Sequence, residues 1–265
     1  MQTTILDMLE KEPKSLTRKI IITIIVVGLI LWSANAITFR GHDGDTMAII
    51  RSIIRGLLHP NVGLLVKDVP RLLLETIGIA FVGTLVGSIL AIPFAFLSAT
   101  NIVPKPIAYI TNLVIMAIRT IPAFILGLMF IRVTGPGAFA GLLTMSVASI
   151  GMMSKLYTEA IEELDPGIIE SLDAAGANTF EKIRYGVVEQ LLADFMSTTL
   201  YRFDMNLRDV PVLGLVGAGG IGAPLIFAMQ THRWADAGAI LIGLILLILI
   251  IEFFSTKIRN KLVKG

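Results

Sequence analysis

Apolar residues fill long, nearly unbroken runs in this chain, and most of its polar residues gather between them. The clearest runs are Ile20–Ile37, Leu72–Ala99 and Ala235–Phe254, and about 20 residues of helix suffice to cross the hydrocarbon core of a bilayer. Carried along the chain, the pattern predicts six membrane helices, at 19–37, 72–98, 106–132, 138–157, 191–215 and 234–256. Between the first two, Met47, Ile50, Ile53, Ile54, Leu57 and Leu58 recur at helical spacing. They predict an amphipathic helix on the outer surface, serving as a packing element. Glycine and proline recur inside the runs, as Gly78, Gly83, Gly87 and Pro93 in the second and Pro122 and Gly127 in the third. Gly83 and Gly87 form a small-x-x-x-small pair, which lets helix backbones approach closely.

One long polar interruption, Lys155 to Gln190, holds many of the acidic residues. Asp165 before Pro166 reads as an N-cap followed by proline at the first helical position. Gly176 suits the left-handed residue that closes such a helix, and Asn178 with Glu181 forms a capping-box spacing for the next one. Ile168, Ile169, Leu172 and Ala175 share a face of the first helix, away from Glu170 and Asp173. A short exposed amphipathic helix of this kind needs a partner.

Composition narrows the class. Hydrophobic residues make up 55% of the 265 and charged residues 16%, against roughly 25% charged in an ordinary soluble domain. A net charge of +2 is too small to imply nucleic-acid binding. Without cysteine there is no disulfide or thiolate chemistry, and His42, His59 and His232 are dispersed through stretches read as extracytoplasmic, which argues against a catalytic metal site. Lys11, Lys14, Arg18 and Lys19 before the first run and Ala34-Asn35-Ala36 after it resemble a signal peptide, but the run is longer than a normal signal core and further spans follow, which favours an uncleaved anchor. With both termini inside, 12 lysines and arginines fall in inner segments and 7 in outer ones, a moderate positive-inside bias.

Gly217, Gly219 and Gly222 satisfy the G-x-G-x-x-G spacing of a dinucleotide loop. That fingerprint requires a strand before the glycines, then a helix and a second strand leading to an acid. Here Arg202, Asp204, Arg208, Asp209 and Pro211 precede the turn, and only 13 residues separate Gly222 from Asp236. The glycines, with Gly220, are instead expected to form a tight re-entrant turn lining protein or water at the outer mouth.

Glu170-Ser171-Leu172-Asp173-Ala174-Ala175-Gly176-Ala177 resembles the E-A-A-x-x-x-G signature of ATP-binding-cassette importer permeases. Ser154–Glu162, Tyr185–Gln190 and Thr199–Gly222 extend the likeness to the phosphonate permease branch, over roughly residues 70–256. The resemblance implies an all-α integral membrane protein of the type I importer, methionine-permease-like fold, with residues 1–71 as tail, first span and amphipathic segment and 72–265 as permease core. It implies that Glu170, Leu172, Ala174, Ala175, Gly176 and Ala177, within a coupling loop at 158–190, dock on a separate ATPase dimer. It also implies a second permease copy, an extracytoplasmic phosphonate-binding protein, a multi-pass place in the bacterial inner membrane with both termini cytoplasmic, and no cofactor on this chain, ATP and Mg lying on the partner. The chain has no G-x-x-x-x-G-K-S/T loop of its own. It departs from the family at Glu189, where proline is usual, so the end of the second coupling helix is expected to differ in shape.

Charges at membrane depth should face a cavity or one another. Asp204 and Arg208, at i and i+4, are expected to pair; Arg202 or Arg208, with Arg119, forms either structural ion pairs or a weakly positive lining for a phosphonate dianion. Gly217, Gly219, Gly220 and Gly222 are the expected gate or turn. A methionine or osmolyte importer of the same fold and a proton-coupled transporter remain alternatives.

Overall fold

The computed structural model describes residues 16–36 and 46–264, and every regular element among them is helical. Two compact units divide the chain, one ending at Ala48 and the other running from Ile49 onward. In the first, α1 spans Leu16–Ala36 and is apolar over Lys19–Ala34. Lys11, Lys14, Arg40 and His42 lie outside the described residues.

The elements that follow are α2 (Thr46–Leu58), α3 (Val62–Lys67), α4 (Val69–Ser98), α5 (Lys105–Thr120), α6 (Ala123–Thr134) and α7 (Ala138–Glu162). After them come α8 (Pro166–Ala174), α9 (Thr179–Glu181), a π-helical segment (Lys182–Val188), α10 (Glu189–Leu213), α11 (Gly222–Gln230) and α12 (Trp234–Lys264). Helices α4, α7 and α12 are long and apolar enough to cross a membrane.

The centre of the bundle is the pair α4 and α7, which run parallel. Ser154 Oγ donates to the Ala91 carbonyl and Thr158 Oγ1 to the Ala95 carbonyl, both at 3.4 Å, so the register holds an offset of 63 residues. Close approach rests on the absence of side chains. A Cβ on Gly83 would strike Met145, and one on Gly87 would lie 2.5 Å from the Ser149 Cβ and 2.7 Å from the Ser146 carbonyl. Because lipid tails are as apolar as leucine, such contact between helices, more than hydrophobic drive, holds membrane bundles together. At one end Ala91, Ala95, Met153, Tyr157, Val187 and Leu191 form a buried cluster, and at the other Ile79, Met145, Leu207, Val210 and Leu213 form a second.

Two predicted spans take another form. The stretch expected as one helix over 106–132 is broken at Ile121-Pro122, and α5 and α6 meet at an 84° bend. Pro122 has no N–H to donate and forces its predecessor out of the helical region, so Ile121 sits at φ −86°, ψ 115° and Pro122 at φ −58°, ψ 139°. The stretch expected over 191–215 forms α10, which lies against α4, α7 and α12 but is too rich in charged residues to rank with the apolar helices.

Replacing Gly87 with leucine should lower the thermal midpoint of the detergent-solubilised protein, by a cost of about 1–3 kcal/mol or more, as expected when a packed contact is overfilled. A thermal-shift measurement against Gly78→Leu, at a glycine with nothing within 4 Å of its Cβ position, is the check; equal midpoints would refute the close seam.

Candidate functional site

The exposed loop after α7 is built from local hydrogen bonds that the sequence specifies. Asp165 accepts from the Gly167 N–H at 2.9 Å, with Pro166 in the first turn of α8. At the other end, the Ala177 N–H reaches the Leu172 carbonyl and the Gly176 N–H the Asp173 carbonyl, both at 2.9 Å. This is a Schellman closure, and Gly176 takes the left-handed conformation it needs, at φ 79°. Asn178 and Glu181 then exchange bonds, the Asn178 N–H donating to Glu181 Oε2 at 2.7 Å and the Glu181 N–H to Asn178 Oδ1 at 3.0 Å.

Side chains lash α8 to the next helix. Lys182 Nζ pairs with Asp173 Oδ1 at 2.5 Å, and Leu172 rests where a Cβ on Gly186 would lie 2.9 Å from its Cδ1. Ile168, Ile169 and Leu172 are half-buried on this inner side. Ala175 is not: it caps the helix and stands exposed, because the turn into Gly176 carries it off the apolar face. Glu170, Ala174 and Gly176 are exposed as well, and Ala177 is half-buried. Glu189 has helical backbone, at φ −66°, ψ −35°, so the second helix runs on through the π segment into α10 without a break. The π turn itself was not legible from the sequence.

The glycine turn lies at the opposite end of the bundle. Gly217, Gly219 and Gly220 take positive φ values of 84°, 81° and 72°, and the Gly137 N–H donates to the Gly217 carbonyl at 2.8 Å. Gly222 opens α11, and a Cβ there would fall on the Pro211 carbonyl. Helix α10 and a 3-10 turn precede these glycines, which is no setting for a dinucleotide loop. Two anchors escaped the sequence reading. Glu75 Oε1 accepts from the Gly220 N–H at 3.0 Å and Thr76 Oγ1 from the Ile221 N–H at 2.9 Å. Their only signal was a lone carboxylate near the start of an apolar run.

The charges at membrane depth are separated by the structure. The expected Asp204–Arg208 pair does not form. Arg208 Nη2 reaches across to Glu252 at 2.9 Å, while Asp204 Oδ1 accepts from Ser255 Oγ at 2.8 Å, because α12 packs antiparallel along that side of α10. Arg202 turns inward, where its Nε donates to Ser149 Oγ at 3.1 Å. Asn206 Nδ2 contacts the same hydroxyl at 2.8 Å and Thr84 Oγ1 at 2.7 Å, making a buried polar track across α4, α7 and α10. Arg119 lies apart at the exposed end of α5, its stem against Gly151, with no ion pair among the described residues.

A helical membrane bundle that buries a polar track and presents a rigid, capped helix beyond it has the parts of a transport subunit. The chain belongs to the family of binding-protein-dependent transport system inner membrane components, whose model matches residues 91–263. The chain is 34% identical over 212 residues to the phosphate-import permease protein PhnE of Mycolicibacterium smegmatis, covering 80% of this chain and 40% of that one. It thus spans less than half the length of that relative. It is 31% identical over 191 residues to the phosphite transport system permease protein PtxC of Stutzerimonas stutzeri, covering 72% of this chain and 70% of the relative. The fold matches an inward-facing structure of the MetNI methionine transporter with a TM-score of 0.64 at 22% identity, over 73% of this chain and 95% of that one.

If the Arg208–Glu252 pair is structural, Arg208→Gln and Glu252→Gln should each change stability by about 0.2–1 kcal/mol, and the double variant by no more than one of them. A double-mutant cycle on thermal midpoints checks this; fully additive losses would count against the pair.

Proposed function

We propose that this chain is the membrane-spanning subunit of an ATP-binding-cassette importer for phosphonates or related phosphorus oxyanions. Two copies form the pathway, an ATPase dimer docks at 158–190, and an extracytoplasmic binding protein delivers the anion to the opposite end. Both termini lie in the cytoplasm, and the chain performs no catalysis; ATP and Mg belong to the docked ATPase. The observation that carries the reading is α8, nine residues long, capped at both ends, tied to the helix behind it and exposed along Glu170, Ala174, Ala175 and Gly176. The phosphate- and phosphite-transport names of its relatives support the cargo class.

Mechanically, closure of the ATPase dimer on ATP moves the two copies of α8, and each drives the helix that runs through the π segment into α10. Helix α10 carries Arg202 and Asn206 against Ser149 and Thr84, so its movement rearranges the polar track and opens the pathway outward. Arg202 is the arginine suited to meet an oxyanion in transit, through forked guanidinium hydrogen bonds. With the Glu75 and Thr76 anchors holding it, the glycine turn gates the outer mouth.

A Gly176→Val variant should leave the complex assembled but uncouple ATP hydrolysis from uptake, because a β-branched residue in the left-handed region costs about 1–2 kcal/mol and unseats the closure of α8. Coupling that survives the change would refute the placement of the docking helix. The cargo is read by the ATPase rate of the reconstituted complex, with binding protein loaded with methylphosphonate, aminoethylphosphonate, phosphite, phosphate or methionine. Stimulation confined to phosphorus anions is expected. Stimulation by methionine would overturn the cargo, and failure of any ATPase to associate would favour a proton-coupled transporter.

A further inference from the structure

We infer that the concavity between α2 and the start of α12 binds a phosphate-type oxyanion, at the end of the bundle opposite the docking helix. The hollow measures about 610 Å³ and takes Arg55 from α2, His59 from just beyond its end, and His232, Arg233 and Asp236 from the junction of α11 with α12. His59 and His232, far apart in sequence, thus line one surface. Four of these five side chains are nitrogen donors. The carboxylate is already engaged: Asp236 Oδ1 accepts from Asn61 Nδ2 at 2.7 Å, and Oδ2 pairs with Arg233. The Arg55 side chain, one turn before His59, has no hydrogen bond or ion pair among the described residues. Guanidinium and imidazole groups lining one concave wall suit a tetrahedral oxyanion, which accepts several charge-assisted hydrogen bonds at once.

The backbone at His232 gives independent support. α11 ends in a Schellman closure, with the Arg233 N–H on the Ala228 carbonyl at 2.8 Å and the His232 N–H on the Met229 carbonyl at 3.1 Å. The left-handed position of that motif normally falls to glycine, yet His232 occupies it at φ 59°, the one residue other than glycine with positive φ among those described. A side chain is held at the hollow where backbone energetics would favour none, and such outliers gather at ligand sites. The ring stands edge-on to Trp234, with centroids 5.8 Å apart. The wall behind it is fixed, since a Cβ on Gly56 would overlap the Trp234 carbonyl, and the Asn61 N–H donates to the Ala235 carbonyl at 3.0 Å.

The same oxyanion chemistry is offered by a free phosphate or phosphonate and by the headgroup of an anionic phospholipid. α2 exposes Ile50, Ile54 and Leu57 beside the hollow, as a helix lying at a lipid surface does. A free-anion source would rest on the proposed cargo class; a lipid source would not.

The test uses the full chain carrying Trp32→Phe, so that Trp234 alone reports by fluorescence. In nanodiscs of zwitterionic phosphatidylcholine, whose net charge is zero, sodium phosphate and methylphosphonate are titrated against chloride of matched ionic strength. In parallel, phosphatidylglycerol is introduced into the nanodisc lipid. A saturable response to the free anions identifies them as the ligand, and a response confined to phosphatidylglycerol identifies the headgroup. In either case Arg55→Gln and His232→Gly should weaken binding by about tenfold or more. His232→Gly should also hold or raise the thermal midpoint, so its loss of binding cannot be laid to misfolding. Absence of any saturable response, or unchanged binding in both variants, overturns the site. No ATPase is present in the assay, so a chain that couples normally to its ATPase yet fails here loses this inference alone.

Discussion

Close contact between the backbones of α4 and α7 is the constraint on which the remaining structure depends. The two helices run parallel, so their connection must travel back the length of the bundle, and α5 and α6 are that return. Parallel neighbours cannot be joined by a tight turn, and small residues at Gly83, Gly87, Ala91 and Ala95 permit an approach that bulkier ones would forbid. Once the pair is set, Thr84, Ser149, Ser154 and Thr158 are brought inside it. The hydroxyls of Thr84, Ser154 and Thr158 donate to main-chain carbonyls on their own or the facing helix, and those of Thr84 and Ser149 accept from Asn206 of α10. The seam and the polar track are therefore one piece of packing.

From that pair the two ends of the molecule acquire different characters. At one end the chain emerges into α8, an element with almost no tertiary burial that is made stiff by its caps. At the other it folds into left-handed glycines which, with Ile221, are held by the Gly137 N–H of the α6–α7 connection and by the Glu75 carboxylate and Thr76 hydroxyl of α4. Stiffness at the first end comes from local sequence, and at the second from contacts across the bundle.

That difference explains what could be read in advance. The caps at Asp165, Gly176 and Asn178 depend on neighbours within six residues, and each is found where the sequence places it. Runs of apolar residues likewise marked α4, α7 and α12. Features decided by distant partners were harder. Asp204 and Arg208 have ideal spacing for a helical pair, but α12 brings Ser255 and Glu252 closer to each. Pro122 was visible as a residue, yet whether a proline kinks a helix or breaks it through 84° depends on what waits to receive the second half. Glu75, Thr76 and the meeting of His59 with His232 are products of tertiary structure and leave no periodic signal.

The π-helical segment Lys182–Val188 is bounded by contacts to α8 on one side and by the long run of α10 on the other. A π turn contains an additional residue relative to an α turn, and such segments are seldom stable without outside support. Were it to relax to ordinary α geometry, everything beyond it would turn by roughly 100° about its axis, the angle of a single residue step. The geometry of this stretch therefore sets which face α10 turns toward the seam. Seven residues near the exposed end thus fix where Arg202 and Asn206 meet the seam, far along the same helix.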